Sequence, residues 1–143
     1  MLPVHSWESA KRISDYLAAA SGDAIPVLGG DGVADELHDG SAVLRPAVHV
    51  LSRPESPQAR IELPFPCVWV CPWTPPAGVE PLKDTLVLTA IGASEPLIDE
   101  LLAEPTIRNL HVGPVPTYWT APSMPHDDYL AGFLMQSKGF VRR

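Results

Sequence analysis

Four groups of residues in this 143-residue chain have types and spacing that could do chemistry. Cys67 and Cys71 could serve a metal or act as nucleophiles. They lack the two-residue gap of a zinc knuckle, and the chain has no second cysteine pair. A nucleophilic thiol needs a base and an electropositive setting, which an apolar run such as CVWVC does not offer. In an extended segment the two would project from one face about two strand repeats apart, too far for an unstrained disulfide. His126-Asp127-Asp128 is the densest polar cluster containing a histidine, but three adjacent side chains cannot all face one ion from a regular element. An aspartate capping a helix is the simpler role there. Gly29-Gly30-Asp31-Gly32 follows an apolar stretch without the G-x-G-x-x-G pattern or a P-loop lysine, and reads as a turn. Glu62, in ARIELPFP, stands at the mouth of an apolar segment, where a carboxylate can meet a ligand. No self-contained catalytic set or metal site emerges.

The elements that would position these residues alternate between helix and strand. Ser6 can cap a helix with Glu8 in its first turn. Trp7, Ala10, Ile13, Leu17 and Ala20 recur at helical spacing, and Gly22 stops it. Ile25, Val27 and Leu28 predict a short buried strand ending at the glycine turn. Ala42 to Leu51 predicts one extended segment, with Pro46 at an edge or bulge. Cys67 to Val70 and Thr85 to Ile91 predict buried strands, the second covered on both faces as in a parallel sheet. Ser94, Glu95 and Pro96 open a helix whose stripe is Leu97, Ile98, Leu101 and Leu102, and Pro105 ends it. Leu110 to Val112 closes a strand–helix–strand unit. The expected fold is therefore α/β, with a mostly parallel sheet, short helices and an extended C-terminal tail. Residues 1–117 would form the α/β unit. Residues 118–143, rich in proline and ending in a short helix around Tyr129 to Leu134, would form a tail suited to subunit contact.

Composition narrows the function classes. A net charge of −7 and scattered basic residues argue against nucleic-acid binding. Proline at 17 of 143 residues excludes long uninterrupted helices from much of the chain. No signal-peptide pattern and no apolar run of about 20 residues occurs, so a soluble, cytoplasmic protein without membrane contact is expected.

Taken in order, SAKRISDYLAAA, VLGG, AVLRPAVHVL and IELPFPCVWVCPW resemble successive blocks in the C-terminal part of aldehyde dehydrogenases. LKDTLVLTAIGASEPLIDELLAEPTIRNLHVGPVPTYW is similar to that family's later strand–helix–strand passage, and PHDDYLAGFLMQSKGF takes the place of its closing tail. The resemblance covers nearly the whole chain through several weak blocks. It implies a partial catalytic domain of an NAD- or NADP-dependent enzyme that oxidises aldehydes to carboxylic acids. The family's cofactor domain and nucleophilic cysteine lie upstream of the resembling region, so no catalytic role passes to Cys67 or Cys71. The isolated chain is then expected to be inactive and not to hold the cofactor alone. Its partners would be an N-terminal dehydrogenase half or further copies of itself, and the alternative is a non-catalytic oligomerisation or interaction module.

The family's Glu-Glu-x-Phe block holds the nicotinamide ribose. Alignment on Pro64 and Phe65 puts Glu62 at the first glutamate and Leu63 at the second, the usual ribose ligand. Leucine cannot accept a hydroxyl hydrogen bond, so that contact is lost unless Glu62 supplies it. Phe65 matches the aromatic that packs near the nicotinamide. Glu62 and Phe65 are thus the cofactor-binding candidates.

Overall fold

The computed structural model describes residues 4–119. His126-Asp127-Asp128 and the anticipated helix around Tyr129 to Leu134 lie outside these residues, as does the tail beyond Trp119. The chain divides into two compact units, Met1–Thr74 and Pro75–Arg143.

In the first unit, strand β1 (Val4–Ser6) leads directly into helix α1 (Trp7–Ser21). The Ser6 hydroxyl accepts the Ser9 N–H at 3.3 Å, satisfying one of the donors a helix start leaves open. Gly22 ends the helix at φ 54°, a left-handed position that costs glycine least. The buried stripe of α1 is Ala10 and Leu17, with Trp7 and Ile13 packed beside them. Strand β2 (Ile25–Leu28), β3 (Ala34–Glu36), β4 (Ser41–Leu44), β5 (Ala47–Val50) and β6 (Cys67–Val70) then form two sheets of order β1-β4-β3 and β2-β5-β6. Ala10, Leu17, Val33, Ala42, Leu44, Ala47 and Phe65 make the buried cluster.

The second unit is the predicted strand–helix–strand element. Strand β7 (Val87–Ala90), helix α2 (Glu95–Ala103) and strand β8 (Asn109–Val112) place β7 and β8 parallel, Val87 opposite Asn109 and Ala90 opposite Val112. Ser94 sits at the cap position but makes no side-chain cap bond, and Pro96 occupies the first turn. Leu101 is buried, whereas Leu102 is exposed and does not join the stripe.

Four sequence expectations need correction. The sheets are not mostly parallel: among the described residues, β1–β4, β3–β4 and β2–β5 pair antiparallel, and β5–β6 and β7–β8 pair parallel. Strands joined by a turn as short as the one between β3 and β4, residues 37–40, reverse direction, because a parallel return needs a long crossover. The segment Ala42 to Leu51 is two strands in different sheets, because Pro46 cannot donate to a ladder and the chain turns there. Ile25, Val27 and Leu28 form a strand, but it is exposed along its length. Cys67 to Val70 is buried on one face only: Cys67 and Trp69 turn inward while Val68 and Val70 are exposed.

Candidate functional site

The loop between Ile61 and Pro66 is held at both ends. The Ile61 carbonyl accepts the Trp69 indole N–H at 3.1 Å, and the Pro66 carbonyl accepts the Ala47 N–H at 3.0 Å. Between these anchors the backbone alternates. Phe65 is 7% exposed within the core and Leu63 packs against it, while Glu62 and Pro64 turn to the surface. Phe65 therefore serves as the plug that fixes the loop, and Glu62 is the side chain left free to meet a ligand.

Glu62, Leu63 and Pro64 form one wall of a surface groove of about 430 Å³. The opposite wall is α1, through Ser9, Arg12, Ile13 and Tyr16. Ser9, Arg12 and Tyr16 are three and four residues apart, so one helix face carries a hydroxyl, a guanidinium and a phenol toward the groove. Arg12 and Glu62 form no ion pair with each other or with any other described residue. The groove thus offers one uncommitted cation, one uncommitted carboxylate and two hydroxyl-bearing residues on an apolar floor. Such a set suits a ligand with vicinal hydroxyls beside an anionic group. The sequence reading singled out Glu62 but missed Ser9, Arg12 and Tyr16. Their i, i+3, i+7 recurrence was the available signal, since it is a polar stripe beside the apolar one.

The other chemical candidates come out as follows. Cys67 and Cys71 are free thiols, both half-buried. Burial pushes the Cys67 thiol above its ordinary value, which keeps it protonated and a poor nucleophile. The glycine turn closes through the Gly32 N–H donating to the Gly29 carbonyl at 3.3 Å. It is tied down by Arg45, whose guanidinium donates to the Gly32 carbonyl at 2.7 Å and lies 3.1 Å from the Asp35 carboxylate. The Gly29 and Gly32 carbonyls and the Gly32 N–H are thereby committed to the protein. Among the described residues no group of three or more His, Cys, Asp or Glu side chains could hold a metal ion. No helix among them is long and apolar enough to cross a membrane.

No protein-family model and no curated protein matches the chain. Solved structures do. Gamma-glutamyl-gamma-aminobutyraldehyde dehydrogenase from Burkholderia cenocepacia superposes with a TM-score of 0.58 at 18% identity, over 73% of this chain and 22% of that one. A lactaldehyde dehydrogenase gives 0.57 at 14% identity, again over 73% and 22%. Indole-3-acetaldehyde dehydrogenase from P. syringae, solved with NAD+ and IAA, gives 0.58 at 17% identity over 75% and 22%. The chain thus spans about a fifth of the length of these enzymes. Its fold is that of a part of an aldehyde dehydrogenase.

Proposed function

We propose that the chain supplies one wall of the nicotinamide-cofactor site of an aldehyde-oxidising dehydrogenase and turns over no aldehyde by itself. The observation that carries this reading is the fold shared with aldehyde dehydrogenases, with Glu62 free at a groove beside Arg12. The donor set fits the sugar–phosphate edge of NAD or NADP. Glu62 would accept ribose hydroxyls, Arg12 would face phosphate, and Phe65 would hold the loop that presents Glu62. The cofactor, when bound, would supply the hydride acceptor. The rest of the site, including the nucleophilic cysteine, would come from an additional dehydrogenase portion.

The test is NAD(P)H formation with a panel of aldehydes, using the purified chain alone and mixed with a separately expressed dehydrogenase portion that carries the nucleophile. No turnover is expected from the chain alone. Turnover is expected from the mixture, reduced at least about tenfold by Glu62→Gln, as for loss of a charge-assisted hydrogen bond. Robust turnover by the isolated chain would overturn the proposal.

One observation favours a second reading, a non-catalytic interaction module. Ile25, Val27, Val68 and Val70 are 66%, 67%, 52% and 46% exposed. Aliphatic strands left bare to this degree are typical of surfaces that meet another protein. Sedimentation velocity should then detect an oligomer or a stable hetero-complex.

A further inference from the structure

The two walls of the groove at Glu62 are different pieces of chain, and hydrogen bonds made outside the groove join them. Ile61, the residue before Glu62, is held at both of its backbone polar groups. Its N–H donates to the Gln58 carbonyl at 3.0 Å, and its carbonyl accepts the Trp69 indole N–H at 3.1 Å. That carbonyl belongs to the peptide unit whose nitrogen is Glu62's own, and a peptide unit is planar from one Cα to the next. The indole therefore fixes the plane from which the Glu62 side chain departs. Packing of Leu63 and Phe65 on the core decides which side of the loop turns inward. Apolar burial is non-directional, however, and leaves the tilt of that plane open.

Trp69 and Gln58 do not line the groove. Trp69 is set by the sheet: it pairs with His49 across β5–β6, and the two rings lie 5.1 Å apart between centroids. An indole has one donor and no acceptor, and here that donor is committed to Ile61. Gln58 is 6% exposed and sits in a single tight helical turn, Pro57–Arg60. Its amide nitrogen donates to the carbonyl of Ser21, the last residue of α1, at 3.2 Å and to Asp23 Oδ1 at 3.4 Å. One run of hydrogen bonds thus leads from the end of the helix that carries Arg12 to the peptide that carries Glu62.

We propose that Trp69 is a positioning residue for this groove, with Gln58 as its counterpart at the helix. The indole N–H holds Glu62 at the angle and distance from Arg12 at which one ligand meets both. This deepens the reading of the groove as a sugar–phosphate site for NAD or NADP and rests on it. The test is titration calorimetry with NAD+ on the full chain mixed with the dehydrogenase portion, in a double-mutant cycle of Trp69→Phe with Glu62→Gln. Phenylalanine keeps a flat ring in the core and lacks the donor. Trp69→Phe should weaken NAD+ binding about fivefold, the scale of one neutral hydrogen bond. In the Glu62→Gln background the same change should weaken it less than about twofold, because the carboxylate it positions is gone. A purely structural role for Trp69 gives equal losses in both backgrounds, and that result overturns the proposal, as does full affinity in Trp69→Phe. Gln58→Met, which keeps the side-chain length without its donors, should show the same dependence on Glu62. It takes the place of Trp69→Phe in the cycle should that variant fail to fold. A parent mixture that does not bind NAD+ sinks the cofactor reading and the positioning role with it. Binding that Glu62→Gln weakens, without coupling to Trp69 or Gln58, leaves the cofactor reading standing and sinks the positioning role alone.

Discussion

Glu62 and Leu63 differ by one residue and by their whole environment, because successive side chains of an extended segment point to opposite sides. Both residues line the groove, but Glu62 is exposed there while Leu63 is half-buried and also leans on the core. That much was legible in the sequence, since the alternation of IELPF sets polar against apolar positions. The helix wall was not, because which face of α1 meets the loop is a tertiary fact. At the same scale, Gly29 sits at φ 82°, and a Cβ there would lie 2.9 Å from Val33 Cγ1 and 3.2 Å from Ala47 Cβ. Gly29→Ala should therefore cost about 2 kcal/mol in chemical denaturation, from a strained left-handed residue pressed on the core. His49 makes a complementary case. Its ring is buried against Trp69 at 5.1 Å between centroids, and neither ring nitrogen has a hydrogen-bond partner. Burial pushes its imidazole below the ordinary value of 6.5. The unfolded chain then takes up the proton first on acidification. The stability contributed by neutral His49 is complete above about pH 6.5 and is lost as the pH falls through the folded value. His49→Phe should flatten the fall in stability between about pH 7 and pH 5, read from denaturant midpoints at each pH.

Elements with a local signal were readable and elements made by partners were not. The cap, stripe and stop of α1 all lie within its own sequence, and so do those of α2, which is why both helices could be placed. The short strands β1 and β3 have no periodicity of their own. They exist because β4 lies between them and pairs with both. Burial misled for β2 and β6, where aliphatic residues that normally mark an interior line an open face. The two helix starts separate what a sequence motif suggests from what the side chain does. Ser6 accepts its cap hydrogen bond and Ser94 does not. Ser6→Ala should cost about 1 kcal/mol, and Ser94→Ala should stay within about 0.5 kcal/mol. Paired denaturation curves of the two variants check the contrast.

For the molecule as a whole, charge works against the proposed ligand. A chain of net charge −7 repels a dinucleotide, so Arg12 has to supply the local attraction at the groove. In the reconstituted mixture, NAD+ affinity should fall as salt rises from about 0.05 to 0.5 M, over which the screening length shrinks severalfold. Arg12→Ala should weaken binding at low salt and remove most of that dependence, as titration calorimetry at several ionic strengths would measure.

Arg45 and Pro46 are the whole bridge between β4 and β5, strands of different sheets. A two-residue joint has no slack to absorb a change of length. One amino acid inserted there would invert the in–out phase of everything after it until the next turn, turning Ala47 and His49 to solvent and driving Val48 and Val50 toward the core. Deletions and insertions are ordinarily tolerated between strands. At this joint they should be among the least forgiven in the chain.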